Sequence, residues 1–186
     1  ANARRMDAEV VRDSLLHVAG LLDRTMGGPV LDEKLGLTSR RRSLYFRFNA
    51  EYKMTFLDQF DAASPTECYE RTQSVIPQQA LALHNSTLAL NVSRELTRQL
   101  KDIRDTKAFI SAAFERTLGR TPTEQESTRC QDFLKEQESL YERSTALTPF
   151  PPGPTEVVPP AADPLQRARE DLVHVLLNHN DFVTIR

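Results

Sequence analysis

Cysteine is scarce: Cys68 and Cys130 are the only two in 186 residues. Two thiols cannot build a disulfide framework; they can form one bridge or, as expected here, sit reduced as small apolar side chains. No apolar run approaches the roughly 18–20 residues that span a bilayer, so no membrane-spanning segment is expected. Charge of one sign is also missing. The formal net charge is −2 and the pI about 6.1, which leaves no global field to attract nucleic acid or an anionic membrane. No Cys-x-x-Cys-His occurs, so the chain attaches no c-type haem and no cofactor is expected in it.

Catalytic signatures are equally thin. The four histidines, His17, His84, His174 and His179, include no pair spaced three or four apart as a helical metal site prefers, and no metal site is expected. Cys68 has Glu67 and Glu70 beside it, which raise a thiol pKa and work against nucleophilic use. There is no Gly-x-Ser-x-Gly elbow. The chain opens on Ala1-Asn2-Ala3-Arg4-Arg5, with no initiator Met and no apolar signal region, and reads as a fragment of something longer whose compartment its N-terminus does not reveal.

What is present is an ordinary globular composition, 39% hydrophobic and 27% charged, in a length that fits one helical domain over residues 1–186. Val11, Leu15, Val18 and Leu22 recur at steps of four, three and four, one face of an amphipathic helix that Gly27-Gly28-Pro29 must break. Pro77 suits the first turn of a helix containing Leu81 and Leu83. Asn85-Ser86-Thr87 offers a cap for the next, which buries Leu88, Val92, Leu96 and Leu100. Ile110, Ala113, Phe114 and Leu118 line a further helix that Gly119 ends. Thr121-Pro122-Thr123-Glu124 reads as a capping box with proline at the first helical position, starting a helix that buries Cys130, Phe133, Leu134 and Tyr141. The two make an αα-hairpin.

Between these lies an irregular stretch, 30–76, and six of the thirteen aromatic residues fall in its 45–60 part: Tyr45, Phe46, Phe48, Tyr52, Phe56 and Phe60. It is expected to lie anchored over the helices. Leu44–Asn49 alternates weakly and is expected as a short strand, and Ser64-Pro65-Thr66-Glu67 as a helix start. Seven of the eleven prolines fall between Pro149 and Pro164, so residues 145–164 read as an extended linker or loop. Asp163-Pro164 opens a last helix with Leu165, Ala168, Leu172, Val175 and Leu176 on one face. The expected fold is mostly α: a compact bundle of six or seven helices with the aromatic segment wrapped over it.

Several segments resemble the planctomycete-specific domain-one family, domain of unknown function 1553. They are Arg41-Arg-Ser-Leu-Tyr45; Phe60-Asp61; Arg71 through Pro77-Gln-Gln-Ala-Leu81 to Asn85; Phe114 to Pro122 with Glu126; and Leu176-Leu-Asn178 with Asp181-Phe182. The chain departs from the usual pattern at Cys68-Tyr69-Glu70 before Arg71 and at Gln78-Gln79. The resemblance implies a C-terminal module of large exported proteins, hence an extracytoplasmic place. In such proteins a cytochrome-c-like domain, and sometimes a lectin-like sandwich, occupies the same polypeptide.

Candidate binding residues are few. Arg40-Arg41-Arg42 is the only basic cluster, and Tyr45 follows it. Basic and aromatic groups together suit an anionic glycan, although arginines in an aperiodic stretch commonly staple the backbone around them. Asp61, Arg71, Gln78 and Gln79 join them as polar residues beside an apolar helix. Asp58 and Asp61 near aromatics would suit glycoside hydrolysis, while a helix cap and a turn explain them more simply. The function expected is a non-catalytic accessory or interaction module whose partners are other domains of its own polypeptide or a surface polymer. Two rival readings are a hydrolase of complex glycans and a module that positions a cytochrome-c-like domain for electron transfer.

Overall fold

Apolar side chains repeating every three or four residues become seven α-helices in the computed structural model, which describes residues 4–66, 77–143 and 157–185. They are α1 (Ala8–Val18), α2 (Thr55–Gln59), α3 (Pro77–His84), α4 (Thr87–Gln99), α5 (Thr106–Leu118), α6 (Glu124–Glu142) and α7 (Pro164–Leu177). A short antiparallel pair, β1 (Arg4–Arg5) with β2 (Thr184–Ile185), brings the two ends of the described chain together. The fold is mostly helical, as the periodicity predicts.

Helix α7 is the hub, packed against α4, α5 and α6. Its buried face carries Ala168, Leu172, Val173, Leu176 and Leu177. Val175, expected on that face, is instead exposed. Leu81 of α3 is likewise exposed while Leu83 is buried. On α6 only Leu134 is fully buried; Cys130, Phe133 and Tyr141 are half-buried at the edge of the core. Cys130 is a free thiol whose pKa is pushed up by burial and then by Glu126. Cys68 lies outside the described residues.

Local signals place most helix ends. Ser86, Asp105 and Asp163 each accept the hydrogen bond that caps α4, α5 and α7 respectively, with Pro164 in the first position of α7. Gly119 ends α5 in the left-handed conformation. The box on α6 sits two residues later than the sequence predicts. Thr123 is the cap, its Oγ1 accepting from the Glu126 N–H (3.3 Å) while Glu126 Oε2 accepts from the Thr123 N–H (2.8 Å). Pro122 therefore precedes the cap and does not open the helix.

The irregular segment has no strand at Leu44–Asn49. Ser43–Tyr45 forms a 3-10 turn, and single bridges pair Asp23 with Arg41 and Leu31 with Phe46. Among the described residues Leu31 alone pairs with this stretch, donating to the Tyr45 carbonyl and accepting from the Arg47 N–H (both 2.8 Å), so the pairing stops at one bridge. Ser64–Thr66 is a bend in which Ser64 Oγ accepts from the Thr66 N–H (3.4 Å); Glu67 lies outside the described residues. Phe46, Phe56 and Phe60 are buried, so these aromatics do anchor the segment. Phe48 and Tyr52 are exposed, and residues 157–164 of the proline-rich stretch lie along the bundle without helix until Pro164.

The anchor that organises this segment is Arg12, wholly buried on α1. Its Nε donates to the Gly36 carbonyl (2.6 Å), Nη2 to the Ser39 carbonyl (2.6 Å), and Nη1 to the Arg41 carbonyl (2.9 Å). The guanidinium also lies 4.8 Å from the centre of the Phe46 ring. Asp13 completes the arrangement by accepting from the Ser43 N–H (2.8 Å) and hydroxyl (2.6 Å). Burial lowers the Arg12 pKa to about 10, with Asp13 opposing, so it remains charged at neutral pH. A Cβ at Gly36 would come 2.7 Å from Met54 Cε, so a larger residue there obliges the Met54 side chain to move.

Replacing Arg12 with Met is expected to cost about 3–5 kcal/mol, since three buried carbonyls lose a charged donor. Arg12→Lys should recover little of that, because one ammonium cannot reproduce the planar fork. Urea unfolding of both variants beside wild type measures this directly.

Candidate functional site

Of the basic cluster, Arg41 is turned into the fold, Arg42 partly so, and Arg40 is exposed. Arg41 donates from Nη2 to the Gly27 carbonyl, sits with Nε 3.9 Å from Asp23 Oδ2, and stacks 4.2 Å over the Tyr45 ring. Tyr45 in turn accepts at Oη from the Gly27 N–H (2.9 Å). Gly27 and Gly28 have φ of 74° and 100°, a left-handed run that places both polar groups of Gly27 against this pair. Arg42 has Nε 3.8 Å from Asp13 Oδ2. Arg40 is exposed, and its carbonyl accepts from the Asp23 N–H (2.9 Å).

Of the other candidates, Asp61 and Gln79 are brought together. Asp61, in the left-handed region at φ 59°, accepts at Oδ2 from Gln79 Nε2 (3.1 Å). Gln79 is buried on α3 and Gln78 exposed beside it. Arg71 lies outside the described residues. Asp58 pairs at the surface with Lys53 (3.8 Å), so Asp58 and Asp61 are each engaged with a different partner. Gln79 also lines a cavity of about 360 Å³ with Arg5, Phe60, Leu83, Asn178 and Val183.

A larger concavity lies elsewhere. A groove of about 570 Å³ runs along the outer face of α1, its floor made by Val10, Leu22, Met26 and Leu44. Glu9, Asp13, His17, Arg24 and Arg42 stand around it. Met26 is 77% exposed, Leu44 56% and Val10 41%, an unusual concentration of open apolar side chains. Arg24 Nη2 and His17 Nδ1 approach to 3.0 Å at its edge. The groove was missed in the sequence, where Val10 falls beside the apolar stripe of α1, and Met26 and Leu44 are isolated in loops. The one available signal is large apolar residues flanking Gly-Gly-Pro and Arg-Arg-Arg with no helical partner.

Among the described residues, no group of three or more His, Cys, Asp or Glu is placed to hold a metal ion. No helix among them is long and apolar enough to cross a membrane.

The motif residues of the α5–α6 hairpin form an ion-pair network. Arg120 donates from Nη1 and Nη2 to the two Glu126 oxygens (2.9 and 2.7 Å) and from Nε to Asp181 Oδ2 (3.0 Å), with Phe114 under the guanidinium at 5.4 Å. This bidentate pairing ties the hairpin to the C-terminal segment. Hydrogen bonding to Arg120 lowers Glu126 to about 2. Its folded pKa lies below the ordinary 4.5, so its stabilisation is complete above about pH 4.5 and drains as pH falls toward 2. Glu126→Gln is expected to cost about 1–2 kcal/mol at pH 7, and the gap from wild type should close by pH 2 in a series of chemical unfolding curves.

No curated protein and no solved structure matches this chain. A family model described as PSD1, protein of unknown function (DUF1553), matches residues 1–134, from β1 through the capping box into α6. The partner carboxylate of the Arg120 network, Asp181, lies beyond the matched residues. With nearly three-quarters of its length covered by that model, the chain belongs to the DUF1553 family.

Proposed function

We propose that this chain is a non-catalytic docking module of a larger, exported multidomain protein of planctomycete type, seated against another domain of the same polypeptide through the groove on α1. The observation that carries this reading is the open apolar floor of Val10, Leu22, Met26 and Leu44 within a polar rim. An apolar centre enclosed by charged side chains is the anatomy of a protein–protein contact. A cytochrome-c-like domain is the neighbour that the family resemblance favours, and an extracytoplasmic place goes with it.

The glycan-binding reading has less support. Arg41 and Tyr45 spend their polar groups on Gly27, which leaves Arg40 and half of Arg42 to face a polymer. The hydrolase reading needs two carboxylates in one cleft, and Asp58 and Asp61 are held by Lys53 and Gln79 respectively.

The test is calorimetric titration of this chain with the separately expressed domains of its polypeptide. Met26→Glu with Leu44→Glu is expected to weaken binding about 30-fold or more, the loss of a buried hot spot. Surface substitutions such as these should change stability by only about 0.5 kcal/mol. Undiminished binding by the double variant, or no binding by wild type, would overturn the proposal. Binding of a sulfated oligosaccharide that ignores this variant but fails in Arg40→Ala would establish the glycan reading in its place.

A further inference from the structure

The end of α3 meets α7 through two imidazoles. The rings of His84 and His174 lie parallel, 3° apart in tilt, with centroids separated by 4.8 Å. His84 is exposed, whereas His174 is only 8% exposed, and its Nε2 is buried without a hydrogen-bond partner among the described residues. A neutral pair can stack face to face in this way. Protonating either ring puts a cation against the other, and a proton on His174 would also place a charge in a dry site.

The surroundings give that charge little relief. His84 from α3 and Arg94 from α4 both oppose it, and a hydrogen bond with the His84 backbone is the one favourable contact among the described residues. Glu170 and Asp171 lie a turn earlier on α7, but both carboxylates are committed. Glu170 accepts from the Ala161 N–H (3.1 and 3.2 Å) and pairs with Arg94 (3.8 Å); Asp171 accepts from the Tyr141 hydroxyl of α6. From α5, Phe109 meets α7 under the Arg169 guanidinium, at 4.4 Å. Burial accordingly lowers His174 to about 4.

We infer that the His84–His174 stack is an acid-sensitive latch: α3 is held on α7 while His174 is neutral and is released locally when that buried ring takes up a proton. Release would open the cavity that Leu83 and Gln79 share with Phe60 and Asn178. The rest of the bundle would stay folded, because α4, α5 and α6 hold α7 through contacts that do not involve α3.

The linkage has a definite sign. His174 is lowered when folded, so the contribution is complete above its ordinary value of 6.5 and is lost as pH falls toward 4. An opened α3 that restores the ordinary value should be favoured on the order of 30-fold at pH 5 relative to pH 7.5. Hydrogen–deuterium exchange on the full chain, corrected for intrinsic rates, reads this out in peptides covering 77–84. The expected result is a loss of protection of that order in α3, with α4 and α6 unchanged. His174→Phe keeps a flat ring without a titrating nitrogen and should hold α3 protection level within about threefold. If that variant lacks the wild-type circular dichroism, His174→Gln is read in the same way. Constant α3 protection in wild type, an equal loss in the non-titrating variant, or simultaneous loss across all helices would each overturn the latch.

Discussion

A guanidinium with no solvent contact holds the irregular segment of this protein in place. Arg12 stands on the buried side of α1 and satisfies the carbonyls of Gly36, Ser39 and Arg41, which belong to a segment unable to satisfy them through helix or sheet. Once those carbonyls are fixed, the rest follows locally. Ser43 turns back to Asp13, Phe46 slides under the arginine, and the bridges to Asp23 and Leu31 fall into register. The groove on α1 exists because this segment is held at a set height above the helix.

The same device recurs at the other side of the bundle. Arg169 of α7, also buried, donates to the carbonyls of Ile103 (3.0 Å) and Arg104 (3.1 Å) just past the end of α4 and lies over Phe109. Arg94 donates to the Val158 carbonyl, and Asn91 accepts from the Val158 N–H (2.7 Å), clamping the end of the proline-rich stretch onto α4. Arg116 reaches the Val18 carbonyl at the end of α1 (2.8 Å). Loops here are secured by side chains from helices, and arginine suits the task because one planar fork serves several acceptors.

This division of labour bears on how the family's motifs are understood. Arg120, Glu126 and Phe114 form a joint between two helices, and Arg41 with Tyr45 forms a clasp on a glycine pair. These residues are explained by architecture. The open apolar floor at Val10, Met26 and Leu44 has no comparable architectural account, which is why it, and not the motif residues, carries the functional reading.

The longer helices, the Ser86 and Asp163 caps, the Gly119 stop, the α5–α6 hairpin and the apolar stripe of α4 were legible in the sequence, because each depends on residues within a turn of one another; α2, inside the stretch read as irregular, was not. The errors were of a different kind. The box on α6 slipped by two residues because Thr121 and Thr123 are both acceptable caps, and only the reach of Arg120 and Asp181 selects the second. Arg12 was invisible because its acceptors lie 24 to 29 residues away in a segment with no period. The triple arginine drew attention for its density, yet density says nothing about which guanidinium finds carbonyls. By itself the sequence determined the helices and their ends, through propensity, capping and spacing that act over a few residues. Tertiary structure alone decided which charges are buried, where apolar side chains stay open and which two histidines meet, because those outcomes depend on groups brought together only when the helices pack.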